Sequence, residues 1–149
     1  EFYTSIKNKV QLFLKLDNVW NHRYIDGLYY ANIAQRRGNH TKSGKKLYKD
    51  DFYTIFTKDD KPSLEKTKHL WYGFNTEKEC FNFISYLKTN FARFILSIYK
   101  NNSQVCRGEL EIIPWLDFTQ EWTDEKLYKE FDLTEEEIKF IEKNIPKYY

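Results

Sequence analysis

Residues 35–46 read Gln-Arg-Arg-Gly-Asn-His-Thr-Lys-Ser-Gly-Lys-Lys, a dense group of side chains able to act on a charged ligand. Arg36, Arg37, Lys42, Lys45 and Lys46 are cationic, His40 is titratable, and no residue in the stretch is large and apolar. Such a segment offers nothing to bury and is read as a surface loop. Two readings of it stand side by side. It is a solvated connection, or it is a phosphate-contacting loop in which Gly38 and Gly44 allow close backbone approach while Arg and Lys supply charge. A nucleotide-binding loop of the Gly-x-x-x-x-Gly-Lys-Ser/Thr kind is excluded, because Gly38 and Gly44 stand too far apart for that order.

Catalytic patterns are mostly missing. His22, His40 and His69 are scattered, with no His-x-x-x-His or Cys-x-x-Cys spacing for zinc, and they read as packing or surface residues. There is no Gly-x-Ser-x-Gly elbow, no Gly-x-Gly-x-x-Gly turn, and no histidine near Cys106 in sequence to activate it. Two short acid-x-Lys steps, Asp124-Glu125-Lys126 and Glu137-Ile138-Lys139, match part of a Mg²⁺ nuclease signature. Both fall on expected surface helices, where acid–lysine neighbours are ordinary. Lys88 and Arg93 complete the set of candidate phosphate contacts. Arg93 sits among Phe91, Phe94 and Ile95, and reads equally as a structural ion-pair residue.

The rest of the composition sets the frame. A chain of 149 residues is read as one domain, 1–149, with a strand-rich part (1–74), central helices (75–100) and a strand plus acidic helical tail (101–149). Aromatic residues make up 19%, enough both to fill a core and to build a binding face. Net charge is +2, but residues 117–149 hold ten acids and five lysines, a local −5 that leaves +7 for residues 1–116. A basic body with an acidic tail fits nucleic-acid contact by the body, and a solvated acidic helix surface explains the tail as well. Two cysteines make no disulfide framework, and Cys80 reads as a small buried hydrophobe. Without a leader, membrane run or lipidation motif, the cytoplasm is the expected location. The chain begins Glu-Phe and holds no Met, which reads as a piece of a larger protein.

The elements that must position these residues centre on residues 74–100. Cys80, Ile84, Leu87, Phe91, Phe94 and Ile98 recur at steps of four and three, with Phe83 and Ile95 widening the stripe. Thr76 and Glu79 form a capping-box pattern, and Thr89-Asn90 predicts a break into two helices. Residues 2–16 suit an amphipathic helix, or a helix running into a strand. Turns are expected at 17–21 and at Asp26-Gly27, and strands over 28–33, 51–57, 69–74 and 108–113. In the tail, Thr123 caps an expected helix over 124–131 and Thr134 one over 135–144. Glu137 completes a capping box there, and Leu133 with Ile138 forms a hydrophobic staple. Pro146 stops the last helix. The expected class is α/β of the α+β kind: a small, mostly antiparallel sheet packed on central helices, with a C-terminal helical tail.

Phe74, Thr76, Glu79, Asn82, Tyr86, Thr89, Phe91, Arg93 and Phe94 meet a longer pattern, Phe-x-Thr-x-x-Glu-x-x-Asn-x-x-x-Tyr-x-x-Thr-x-Phe-x-Arg-Phe. Pro114, Asp117 and Phe118 follow, then residues 122–128, then Leu133, Thr134, Glu137, Ile138 and residues 140–142. In that order the second half of the chain resembles the C-terminal region of bacterial restriction–modification proteins of the Eco57I-like, N6-adenine methylase type. The resemblance implies a target-recognition domain that binds duplex DNA and sits beside the remainder of its parent protein. The catalytic Asn/Asp-Pro-Pro-Tyr/Phe step and the glycine motif for S-adenosylmethionine are missing here, so no cofactor is expected in this piece, while its parent uses S-adenosylmethionine or Mg²⁺. The candidate DNA contacts are Arg36, Arg37, His40, Lys42, Lys45, Lys46, Lys88 and Arg93, and no membrane partner is expected. A Mg²⁺-dependent nuclease and a non-catalytic module docking on the parent protein are the rival expectations.

Overall fold

Backbone hydrogen bonding in the computed structural model follows the apolar periodicity closely; it describes residues 2–15, 27–33, 46–49, 52–60, 70–99, 114 and 116–145. Helix α1 (Phe2–Lys15) precedes strands β1 (Tyr29–Ile33), β2 (Lys46–Lys49), β3 (Tyr53–Thr57) and β4 (Leu70–Phe74). Helices α2 (Glu77–Leu87), α3 (Asn90–Tyr99), α4 (Asp124–Glu130) and α5 (Glu135–Asn144) follow. The strands form one sheet in the order β2-β3-β1-β4, and each neighbouring pair is antiparallel. The α+β class expected from the sequence is what the chain adopts. The strand expected over 108–113 and the turn over 17–21 lie outside the described residues.

Alternation along the strands gives the sheet two apolar faces. Ala31, Ile33, Ile55, Tyr72 and Phe74 point toward α2, where they meet Cys80, Phe83, Ile84 and Leu87. Tyr30 and Phe56, opposite one another in the β1–β3 register, form a separate buried pair on the other face. Gly27 admits no side chain at the start of β1. A Cβ there would lie 2.6 Å from the carbonyl oxygen of Phe74 and 2.7 Å from its nitrogen. Leu28 N–H donates to that same carbonyl at 3.0 Å.

The helix boundaries follow local chemistry. At α2, Thr76 accepts from Glu79 N–H, and the Glu79 carboxylate accepts from Thr76 N–H, closing the box. Thr89 then ends the first helix and begins the second. Its hydroxyl donates to Tyr86 carbonyl and accepts from Ala92 N–H, so the break falls where the sequence places it. At the end of α4, Asp132 takes φ 53°, Leu133 N–H donates to Tyr128 carbonyl and Asp132 N–H to Lys129 carbonyl. Those two bonds close the left-handed cap by which many helices end, with a short aspartate where glycine is commoner. Ile145 leaves α5 in an extended conformation, as a residue before proline does.

Helix α1 is fastened to α5 through a buried carboxylate. Glu137 is 2% exposed; its oxygens accept from Ser5 Oγ, from Lys9 Nζ at 2.6 Å and from Thr134 N–H at 2.9 Å. Lys9 Nζ also donates to the carbonyl of Asp132 at 2.6 Å. Burial opposes ionisation of Glu137, but the bonds from Lys9, Ser5 and Thr134 outweigh it and hold the carboxyl down at about 2. Because the folded value lies below the ordinary 4.5, the resulting stability is present above pH 4.5 and is lost as pH falls toward 2. At neutral pH this linkage is worth at most about 3 kcal/mol. In urea unfolding, Glu137→Gln is therefore expected to be less stable than wild type at pH 7 by about 1–3 kcal/mol. The gap should close as the pH is lowered through that window; a constant gap would show that the carboxylate's charge is not what fastens α1.

Candidate nucleic-acid interface

The α2–α3 corner brings two of the expected cations together. Lys88 is the last residue of the α2 turn, and its N–H donates back to Ile84 carbonyl at 3.1 Å. Its own carbonyl, one of the acceptors that a helix end leaves open, takes a bond from Arg93 Nε at 3.1 Å. Arg93 Nη2 donates to Asn90 Oδ1 at 2.8 Å, so the guanidinium folds over the corner and braces it. The sequence left Arg93 between an ion-pair role and a phosphate contact; two of its bonds run to a carbonyl and an amide, a structural use of the side chain.

The Lys88 side chain reaches the sheet. Its Nζ donates to Tyr48 Oη at 2.6 Å and lies 5.1 Å from the Tyr48 ring centre and 5.7 Å from that of Tyr53. Tyr48 in turn meets Phe81 edge-on, with ring centres 5.1 Å apart. An ammonium over aromatic faces is attracted by their negative quadrupole while keeping its protons as donors.

Strand β2 requires a correction to the sequence reading, which took Lys46 as the end of a loop. Lys46 is the first residue of β2 and is half-buried, with its Nζ 5.6 Å from the Phe56 ring centre. Four residues with two apolar side chains between lysines are too short for periodicity to reveal, and pairing with β3 is what makes them a strand. The register also slips inside β2: Lys46 faces Phe56 while Tyr48 faces Ile55. This bulge turns both Leu47 and Tyr48 toward the main core, and leaves Lys46 on the face of Phe56 and Tyr30. Lys46 and Lys88 are thus on opposite faces of the sheet. Arg36, Arg37, His40, Lys42 and Lys45 lie outside the described residues. Their segment joins Ile33 to Lys46, and those two anchors stand at opposite ends of β3, facing Tyr53 and Phe56.

The residues of the longer sequence pattern are mainly architectural. Asn82 Nδ2 donates to Phe118 carbonyl at 2.9 Å, and Tyr86 Oη to Pro114 carbonyl at 2.7 Å, both in the interior. Phe118 meets the rings of Phe74, Phe83 and Tyr86, while Phe91 stacks on Phe131 at 4.8 Å. Trp122 Nε1 donates to Asp117 carbonyl at 2.9 Å. Burial, helped by the nearby Glu79 and Glu77, pushes the Cys80 thiol far above its usual range, which suits a packing role.

Both acid-x-Lys steps are likewise engaged. Asp124 accepts from the N–H groups of Asn90 at 3.1 Å and Phe91 at 2.9 Å, so its carboxylate caps α3 from a different helix. Glu137 is the buried acceptor described above. Among the described residues no group of three or more His, Cys, Asp or Glu side chains could hold a metal ion. A cleft of about 340 Å³ is lined by Gln120, Trp122, Lys126, Lys129 and Glu130, none of them an expected contact. Within it Lys126 Nζ donates to Glu121 carbonyl at 2.7 Å and sits 5.9 Å from the Trp122 ring centre. No described helix is long and apolar enough to cross a membrane. No protein-family model, curated protein or solved structure matches the chain.

Sequence reasoning missed Tyr48 and Tyr53 as partners of Lys88. The two apolar residues between Lys46 and Lys49 were the available signal for a strand, but nothing local connects Tyr48 to a lysine 40 positions on. The Asp124 contacts yield a direct test. Asp124→Ala is expected to destabilise the fold by about 1–2 kcal/mol through two orphaned N–H groups, with Asp124→Asn recovering part of the loss. Thermal melts with and without Mg²⁺ should show the same shift; stabilisation of wild type alone by Mg²⁺ would restore the metal reading.

Proposed function

We propose that this chain is the DNA-recognition (specificity) domain of a bacterial type II restriction–modification enzyme, working in the cytoplasm. It binds duplex DNA and docks beside the catalytic part of its parent, whose chemistry uses S-adenosylmethionine or Mg²⁺. The observation that carries the proposal is the α2–α3 corner, where Lys88 meets Tyr48 and Tyr53 at the sheet and Arg93 braces the Lys88 backbone. The strand that supplies Tyr48 begins where the cationic segment 36–45 ends. Cations beside aromatic rings are the material from which phosphate and base contacts are made. The residues shared with the restriction–modification pattern fit a scaffold that presents such contacts, since they cap helices and fix the 114–118 segment. A Mg²⁺ nuclease draws less support, because Asp124 and Glu137 already serve helix ends. The cleft over Trp122 favours a second reading, in which that surface is where the chain docks on its parent and touches no DNA.

Fluorescence anisotropy with random duplex DNA at several salt concentrations tests the proposal. Affinity should fall steeply with salt, by about 0.9 of a log–log unit per phosphate neutralised. Changing Arg36, Arg37 and Lys45 together to Ala should lower that slope by about 2–3 units. Lys46 is left in place because it packs beside Phe56. Unchanged affinity in the triple variant would remove the loop from the interface, and absent binding at low salt would overturn DNA recognition.

A further inference from the structure

We infer that the cleft lined by Trp122 receives one aspartate or glutamate side chain of the parent protein, its carboxylate lying between Lys126 and Lys129. This rests on the docking reading above and needs no DNA contact. The two lysines stand three positions apart on α4, so they share one face of the helix, and both line the cleft. Lys126 is fixed: its Nζ donates to Glu121 carbonyl at 2.7 Å and to Gln120 Oε1 at 3.3 Å, with the Trp122 ring centre 5.9 Å away. Lys129 is exposed, and among the described residues its ammonium has no hydrogen-bond or ion-pair partner. One cation is therefore held in place, and a second is available to close on an anion.

The walls are built before any ligand arrives. Asp117 Oδ1 accepts from Thr119 N–H at 3.1 Å, Asp117 carbonyl accepts from Trp122 Nε1 at 2.9 Å, and Thr123 caps α4. An occupant thus orders little of the protein on entry, and a space of about 340 Å³ suits a side chain rather than a folded element. Charge decides the chemistry. Residues 117–149 carry ten acids and five lysines, and Glu121, Asp124, Glu125 and Glu130 stand around the two lysines in sequence. Duplex DNA carries one charge per about 1.7 Å, so it would set several phosphates within a Debye length, about 8 Å, of those acids. A single carboxylate takes the attraction of both ammonium groups and brings no further charge. Glu130, in the same cleft, is an acceptor suited to an N–H of the chain that carries the carboxylate.

A capped Ala-Glu-Ala tripeptide, titrated into the isotope-labelled chain and followed by NMR, tests this. Saturable shifts are expected at the Trp122 indole N–H and at the Lys126 and Lys129 amides. A capped Ala-Gln-Ala tripeptide should bind more weakly by about 3-fold or more, and Lys129→Gln should weaken binding of the Glu peptide by about 3- to 10-fold. The same variant should leave duplex DNA affinity and its salt slope as in wild type. No saturable shift in wild type, equal binding of the two peptides, or unchanged peptide binding in Lys129→Gln would overturn the inference. Displacement of the peptide by duplex DNA would overturn it too, by assigning the cleft to nucleic acid. The peptide titration uses neither DNA nor the parent, so its failure removes this inference alone. Peptide binding without duplex binding overturns only the DNA reading.

Discussion

Pro114, Leu116 and Phe118 are buried in a stretch that makes neither helix nor strand, and the carbonyl groups of such a stretch cannot satisfy themselves. Asn82 and Tyr86 supply the missing donors from one side of α2. An unpaired buried carbonyl costs about 1–3 kcal/mol, so these two side chains decide where the segment runs. Phe118 is then delivered against Phe74, Phe83 and Tyr86, joining sheet, helix and returning chain in one aromatic cluster. Helix α2 is thus fixed on two sides, by apolar contact with the sheet and by directional bonds to the returning chain.

The same requirement, that every buried backbone group find a partner, organises the acidic tail. Asp124 begins α4 yet covers two N–H groups of α3. Glu137 completes the cap of α5 while accepting from two side chains of α1. The left-handed turn at Asp132 points its carbonyl at Lys9, so helix ending and helix docking share one residue. Part of the tail's negative charge is therefore structural, placed at helix N-termini where backbone dipoles favour it.

What could be read from the sequence depended on range. Capping boxes at Thr76 and Thr134, the division at Thr89-Asn90 and the final helix over 135–144 are local patterns, and each appears where expected. The expected helix over 124–131 ends one residue sooner, at Glu130. Residues 2–16 read as a helix alone or a helix running into a strand, and the described part of them, Phe2–Lys15, is helical. Strand β2 escaped because pairing creates it, and its bulge redirects Tyr48 in a way no period-two pattern can encode. Glu137 was legible as a cap and illegible as the anchor of α1, since its partners lie far away in the chain. At the candidate interface, charge identified Lys88 and Arg93, but only the fold joined Lys88 to tyrosines and Arg93 to the Lys88 carbonyl.

The Glu137 clasp also sets an order of events during synthesis. Its bond to Lys9 spans 128 positions, so α1 is complete long before the side chain that holds it exists. At ribosomal speeds of about 5–20 residues per second, that interval is about 6–25 s. Throughout it, Ile6 and Val10, both buried in the finished domain, lack their α5 partner. Helix α1 is made well before it is secured, and its apolar stripe is a surface on which a chaperone or a mispaired neighbour could act in that interval.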